Sequence, residues 1–113
     1  MKYSLFIGRW QPFHEGHQAL IKSVLDEGKN VCVAIRDTTI SSDNPFTAEE
    51  REKMILEIFP TVKVIVIPDI EEVCYGRKVG WGIRELHLSE ELEQISGTEI
   101  RHQMREYNEE KEV

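Results

Sequence analysis

Runs of apolar residues alternate along the chain with stretches whose apolar positions have helical period. Three apolar runs predict strands, at residues 3–8, 30–36 and 62–68, and the third is rich in β-branched residues. Between them, residues 16–27 and 47–59 place apolar side chains three or four positions apart, which predicts two amphipathic helices. The order strand, helix, strand, helix, strand predicts parallel strands joined by right-handed crossovers.

The second half of the chain has a weaker pattern. Residues 71–76 and 82–88 are short stretches bounded by glycine turns, and we interpret them as a fourth and a fifth strand. Residues 96–107 have helical period and predict a last helix. The predicted fold class is therefore α/β, with a parallel sheet of about five strands and helices on both faces. Residues 1–108 form one domain in this interpretation, and 109–113 form an acidic C-terminal tail.

Length and composition fit a single globular domain. The chain has 113 residues, of which 40% are hydrophobic, and no apolar run reaches the roughly 18 residues of a membrane span. The apolar run near the N-terminus is too short for a signal peptide, so we expect a cytoplasmic protein whose Cys32 and Cys74 are reduced thiols. The formal net charge of -7 disfavours nucleic acid and anionic membranes as partners.

Two histidines stand where the first strand gives way to the first helix, in GRWQPFHEGHQAL at residues 8–20. Three interpretations are open: structural side chains, metal ligands or phosphate contacts. A metal site is disfavoured because His14 and His17 lack the i, i+4 spacing of the helical zinc motif. Phosphate binding is favoured because a helix N-terminus attracts anions, Gly16 permits close approach and imidazoles donate hydrogen bonds.

A second segment, ISGTEIR at residues 95–101, also opens a predicted helix. Its Ser96 and Thr98 can cap the helix and bind phosphate through their hydroxyl groups. Arg101 lies one turn further on, and its guanidinium matches phosphate oxygens. A simple capped helix explains this segment equally well when it is taken alone. Together with the histidines, it predicts two helix starts that meet one anion.

Further candidates lie at the ends of other predicted strands, where ligands of such sheets bind. Arg36 ends the second strand. Arg51, near the start of the second helix, could reach the site or pair with neighbouring glutamates. Lys22 on the first helix is more consistent with a solvated side chain. The predicted fourth strand ends at Tyr75, Gly76 and Arg77.

The motifs resemble those of the nucleotidylyltransferase superfamily, which carries HxGH and a late ISSTxxR-type motif. Here they read HEGH and ISGTEIR, with Gly97 in place of the second Ser. GRWQPFHEGH and NPFTAEER are similar to segments of the archaeal-type nicotinamide mononucleotide adenylyltransferases. The resemblance implies a Rossmann-like fold, Mg²⁺ as cofactor and a homodimer or higher homo-oligomer. It implies attack by an acceptor phosphate on the α-phosphate of a nucleoside triphosphate, with release of pyrophosphate.

The resemblance also implies roles for individual residues. His14, His17 and Arg101 would be catalytic, with His17 stabilising charge near the α-phosphate. The implied nucleotide-binding residues are Gly8, Arg9, Gly16, Ser96, Thr98, Tyr75, Gly76 and Arg77.

The acceptor is open at this point. Residues 70–94 are shorter than the matching part of the nicotinamide mononucleotide enzymes, which points away from that acceptor. Compact cytidylyltransferases act on polyol or choline-type phosphates and are an alternative. GRWQPFH and NPFTAEER favour adenylyl transfer, and therefore ATP over CTP. A nucleotide-binding module without turnover is the third alternative, although such a module has little need of two imidazoles.

Overall fold

The computed structural model describes residues 1–77, 80–88 and 100–101. Its regular elements, in chain order, are β1 (Tyr3–Gly8), α1 (Glu15–Leu25), β2 (Asn30–Asp37), α2 (Ala48–Ile58) and β3 (Lys63–Pro68). The order of these elements is the predicted one, and each boundary lies within two residues of its predicted position. Thr47 caps α2 in a reciprocal contact with Glu50, as their spacing in the sequence predicts.

The three strands form one sheet in the order β1-β2-β3, and both pairs are parallel. Phe6, Val33 and Val64 lie side by side across it. All three strands therefore end at the same edge, which is where ligands of open α/β sheets bind.

Both helices pack on the same face of this sheet. Val31, Val33 and Ile35 alternate along β2 and so share one face. They form a single buried core with Ile21 and Val24 of α1 and Ile55 of α2. Two right-handed crossovers that advance in one direction across a sheet place their helices on one side. The predicted helices on both faces are therefore not found in the described part of the chain.

The predicted fourth and fifth strands are not confirmed in the described part of the chain. Residues 71–76 and 82–88 are irregular, and the residues described form three strands rather than about five. Most of their large apolar side chains lie in solvent: Val73, Tyr75 and Ile83 are 63–64% exposed, whereas Leu86 packs against the core. A short alternating pattern makes a strand only where a neighbouring strand accepts its backbone hydrogen bonds.

The predicted last helix falls mostly outside the described residues, and the tail at 109–113 falls entirely outside them. Ile100 and Arg101 are helical. No helix in the described ranges has the length and apolar character needed to cross a membrane.

Candidate functional site

The first helix is capped by an imidazole. His14 has extended backbone, and its Nδ1 accepts hydrogen bonds from the backbone N–H groups of Gly16 at 3.1 Å and His17 at 3.4 Å. Side-chain oxygens of Ser, Thr, Asp and Asn usually fill this position. Two N–H groups at the helix start, which the sequence suggested for phosphate, are therefore already bonded within the protein.

His17 completes the cap. Its Nδ1 accepts a hydrogen bond from the backbone N–H of His14 at 3.2 Å, which makes the contact a reciprocal capping box. The two rings stack with their centroids 3.6 Å apart and their planes 18° from parallel. His14 and His17 therefore form one ordered unit at the carboxyl end of β1.

The capping box determines which nitrogen of each ring carries the proton. A neutral imidazole has one N–H donor and one acceptor nitrogen. Because Nδ1 of both His14 and His17 accepts a hydrogen bond, the hydrogen of each neutral ring must be on Nε2. The unit can therefore offer a ligand two Nε2–H donors.

Both imidazoles are neutral at pH 7. Burial, and then the neighbouring ring of His14, lower the pKa of His17 to about 3. Burial also lowers the pKa of His14 from 6.5. Protonation would also place a hydrogen on Nδ1. That hydrogen would face the backbone N–H groups that donate to Nδ1, and these hydrogen bonds would be lost. The pair is therefore suited to donate uncharged hydrogen bonds to an anion.

Trp10 covers His17 from the side of the sheet. The two rings meet edge to face with centroids 4.7 Å apart, and the indole N–H donates to the backbone carbonyl of Ala34 at 3.0 Å. Trp10 is 5% exposed, and its φ of 53° lies in the left-handed region that L residues rarely adopt. Such a conformation persists where surrounding contacts hold it. The Trp10 ring held in this way packs directly against His17.

Gly8 has a packing role as well as its predicted binding role. A Cβ atom on Gly8 would lie 2.9 Å from two atoms of the Trp10 ring. Non-bonded carbon atoms pack at about 3.5–4.0 Å, so the indole requires glycine here. Binding of a nucleotide by Gly8 stays a prediction.

Arg101 lies at the far end of the described chain and contacts the loop of residues 9–14 that joins β1 to α1, called the histidine loop below. Arg101 is 5% exposed, and its guanidinium donates a hydrogen bond from Nη1 to the backbone carbonyl of Gln11. The structure thus brings Arg101 to the segment that contains His14 and His17. The predicted phosphate-binding residues Ser96 and Thr98 lie outside the described residues.

Gln11 is not among the residues that the sequence singles out. Its carboxamide pairs with the backbone of Phe46, donating to the carbonyl and accepting from the N–H, each at 3.0 Å. It also donates to the Thr38 hydroxyl at 3.4 Å. These bonds attach the loop between β2 and α2 to the histidine loop. A single polar residue between Trp10 and the apolar Pro12–Phe13 pair was the only signal in the sequence.

Arg51 was predicted either to reach the site or to pair with glutamates. Within the described ranges it forms no ion pair. It is 1% exposed and donates to three backbone carbonyls: Thr47 at 3.1 Å, Arg9 at 2.8 Å and Arg36 at 2.7 Å. Burial lowers the pKa of its guanidinium, and Asp37 acts in the opposite direction. Arg51 is therefore buried beneath the strand ends rather than solvated.

The other two arginines at this edge are tethered by their side chains. Arg9 donates from Nη1 to Oδ1 of Asn44 at 3.3 Å. Arg36 forms an ion pair of 2.8 Å with Asp69, which follows β3, and donates to the carbonyl of Ile70 at 3.2 Å. The predicted ligand contacts of Arg9 and Arg36 stay predictions.

Lys22 is not brought to the histidine pair, and the segment at residues 75–77 lacks the strand that was predicted to place it. Lys22 lies in the last turn of α1, exposed, in an ion pair of 2.7 Å with Asp26. Lys22 is eight residues after His14, a separation of about 12 Å along the helix axis. The stretch formed by Tyr75, Gly76 and Arg77 is exposed and irregular, and it does not end a strand. Nucleotide binding there stays a prediction.

The described residues provide no cage for a metal ion. No group of three or more His, Cys, Asp and Glu side chains is placed to hold a metal among them. Mg²⁺ commonly keeps several waters and is bound through substrate phosphates with one or two carboxylates. Neutral imidazoles and guanidinium groups therefore fit a polyphosphate that carries its own Mg²⁺.

Comparison with known families supports the same class of site. Residues 5–80 match the model of the cytidylyltransferase-like family, a span that begins within β1 and includes β2, β3, both helices and the histidine pair. The chain belongs to this family, which confirms the superfamily that the HEGH motif predicted.

Within the family, its relatives include nicotinamide-nucleotide adenylyltransferases. The protein of that name from Methanococcus aeolicus is 45% identical over 75 residues, which cover 60% of this chain and 43% of the relative. The one from Methanocorpusculum labreanum is 40% identical over 77 residues, covering 65% and 45%. The chain therefore spans less than half the length of these relatives.

A solved structure shares the fold. It is a bifunctional NMN adenylyltransferase/ADP ribose pyrophosphatase from Francisella tularensis, complexed with AMP and Mn ion. It is 37% identical to this chain, with a TM-score of 0.53, and the match covers 59% of this chain and 22% of that one.

Proposed function

We propose that the chain transfers an adenylyl group from ATP to a small acceptor that bears a phosphate. The observation that carries the proposal is the pair of neutral imidazoles at the start of α1, with Nε2–H as the donor of each ring. Helix starts at this edge of a parallel sheet are general sites for phosphate groups. Arg101, attached to the same loop through Gln11, brings a guanidinium to that edge.

The proposed reaction is a direct displacement at phosphorus. An oxygen of the acceptor phosphate forms a bond to the α-phosphorus of ATP, and the bond from that phosphorus to the oxygen bridging to the β-phosphate breaks. Pyrophosphate leaves with the electron pair, and no covalent enzyme intermediate forms. Such reactions need positioning and charge stabilisation more than covalent help. Donors from His14 and His17 would stabilise the α-phosphate, and Arg101 would bind the leaving phosphates while Mg²⁺ neutralises part of their charge.

Nicotinamide mononucleotide is the first acceptor to test, since the relatives' names support it. The short segment at 70–94 supports the alternative of a cytidylyltransferase acting on a polyol or choline-type phosphate. The same short segment also supports the alternative of a nucleotide-binding module without turnover.

The test is pyrophosphate release with Mg²⁺ and ATP or CTP, each combined with nicotinamide mononucleotide, glycerol 3-phosphate or phosphocholine. We expect turnover with ATP and nicotinamide mononucleotide, and loss of at least about a hundredfold in His17→Gln, as for other electrostatic stabilisers. His87→Gln, which removes an exposed imidazole, is the matched control and should keep full activity. Turnover with CTP and not with ATP would contradict adenylyl transfer and favour the cytidylyltransferase. Nucleotide binding without any product would contradict the enzyme and favour the nucleotide-binding module.

A further inference from the structure

Arg51 is the most deeply buried of the charged side chains in the described ranges, at 1% exposed. Moving a cation out of water is costly unless hydrogen bonds replace its hydration. Here carbonyl oxygens from three different elements do so. They belong to Thr47, which caps α2, to Arg9, one residue past the end of β1, and to Arg36, near the end of β2.

One nitrogen of Arg51 joins the two strand ends. Nη1 donates to the carbonyl of Arg9 at 2.8 Å and to that of Arg36 at 2.7 Å. Arg9 and Arg36 each follow by one position the last residues paired between β1 and β2, Gly8 and Ile35. Beyond this point the two strands lead into the loops that precede α1 and α2. The same guanidinium is attached through Nε to the start of its own helix. The position of the guanidinium therefore determines the distance between the backbone at Arg9 and the backbone at Arg36.

We propose that Arg51 is a positioning residue that sets the spacing between the carboxyl ends of β1 and β2 and so holds the histidine loop in its binding geometry. The inference rests on the proposed function, in which this loop binds a nucleoside triphosphate. Arg51 itself lies beneath the loop and does not touch the ligand. It acts through the backbone of Arg9, five residues before His14.

The planar guanidinium suits this task better than other side chains. Its donors form a rigid fork that can reach several carbonyls at fixed angles. A lysine ammonium is a compact charge on a flexible stem, and methionine has similar length but no donor. Arg51→Lys thus keeps the charge and loses the fork, whereas Arg51→Met loses both. Arg84→Lys is the control, because Arg84 is half exposed in a surface ion pair with Glu27.

Two measurements test the proposal. Calorimetric titration with ATP and Mg²⁺ should show Kd raised about tenfold to a hundredfold in both Arg51 variants, the range for small displacements of a binding group. NMR titration of the His17 ring without nucleotide should show protonation at a pH at least about one unit higher than in the wild type, since a loosened loop admits water. Arg84→Lys should match the wild type in both.

The two readouts separate this inference from the proposed function. If the wild type does not bind ATP but the His17 titration moves in the Arg51 variants, the proposed function fails and the positioning role stands. Folded variants with wild-type ATP affinity and wild-type His17 titration would overturn the inference. If both variants fail to fold, the wild-type Nε–H signal of Arg51 decides. The Nε–H signal of Arg51 should be protected from solvent exchange, and on addition of ATP it should shift less than the Nε–H signal of Arg9. A larger shift for Arg51 than for Arg9 would contradict an indirect role.

Discussion

His14 and His17 each accept a backbone hydrogen bond from the other, at 3.4 Å to Nδ1 of His14 and 3.2 Å to Nδ1 of His17. The reciprocal contact gives two side chains of a predicted catalytic motif a structural task. It holds both rings in the tautomer that directs N–H away from the backbone. Capping of α1 and presentation of donors to a ligand therefore depend on the same two nitrogen atoms.

Stability should fall as the pH is lowered from 6.5. The pKa of His17 is about 3 in the folded chain and near its ordinary 6.5 in the unfolded chain, so acid protonates the unfolded state first. The stabilisation is complete above pH 6.5 and is lost progressively towards pH 3. Between pH 6 and 5 the free energy of unfolding should drop by up to about 1.4 kcal/mol per pH unit from this group. Urea denaturation at several pH values measures it.

His17→Gln removes this proton-binding group and should flatten the slope between pH 6.5 and 5. His87→Gln is the control for the removal of a histidine from the surface, because His87 is exposed. Equal slopes in the wild type and His17→Gln would mean that the His17 ring titrates normally in the folded state.

Gly8→Ala should destabilise the fold. The added methyl group would meet the Trp10 ring at 2.9 Å, and overpacking of this kind costs roughly 1–3 kcal/mol. Chemical denaturation measures the loss. Gly82→Ala is the matched control, since nothing lies within 4 Å of a Cβ there. A wild-type midpoint for Gly8→Ala would show that the indole does not lie over Gly8.

Trp10→Phe tests the indole hydrogen bond. Phenylalanine keeps an aromatic ring but leaves the carbonyl of Ala34 without the indole N–H, which should cost about 1–3 kcal/mol of unfolding free energy. Trp81→Phe should change stability by less than about 0.5 kcal/mol, because Trp81 is 66% exposed. Thermal or urea unfolding compares the two. The idea fails if Trp10→Phe is as stable as Trp81→Phe.

Local signals in the sequence predicted the first half of the fold. Continuous apolar runs marked β1, β2 and β3, and Thr47 with Glu50 marked the start of α2. These features depend on residues a few positions apart. The segment from 71 to 88 shows the limit of such signals, because its apolar pattern predicts strands that the described residues there do not form. Whether a neighbouring strand is available for pairing depends on distant parts of the chain.

Burial of polar side chains was harder to predict from the sequence. Arg51 lies in the apolar stripe of α2, four residues before Ile55, and this was the one sign that it is buried. Its partners Arg9 and Arg36 are 42 and 15 residues away. Gln11 is likewise bonded to Phe46, 35 residues on. Such contacts exist only once the strand ends meet, whereas the HEGH motif could be recognised from its spacing alone.

The most direct test of the account is NMR of the imidazole nitrogens of His14 and His17, with and without a non-hydrolysable ATP analogue and Mg²⁺. We predict that both rings are neutral at pH 7 and carry hydrogen on Nε2. Both Nε2–H signals should shift on binding, and Nδ1 should stay an acceptor. Hydrogen on Nδ1 of either ring, or nucleotide binding that leaves both Nε2–H signals unchanged, would contradict the account.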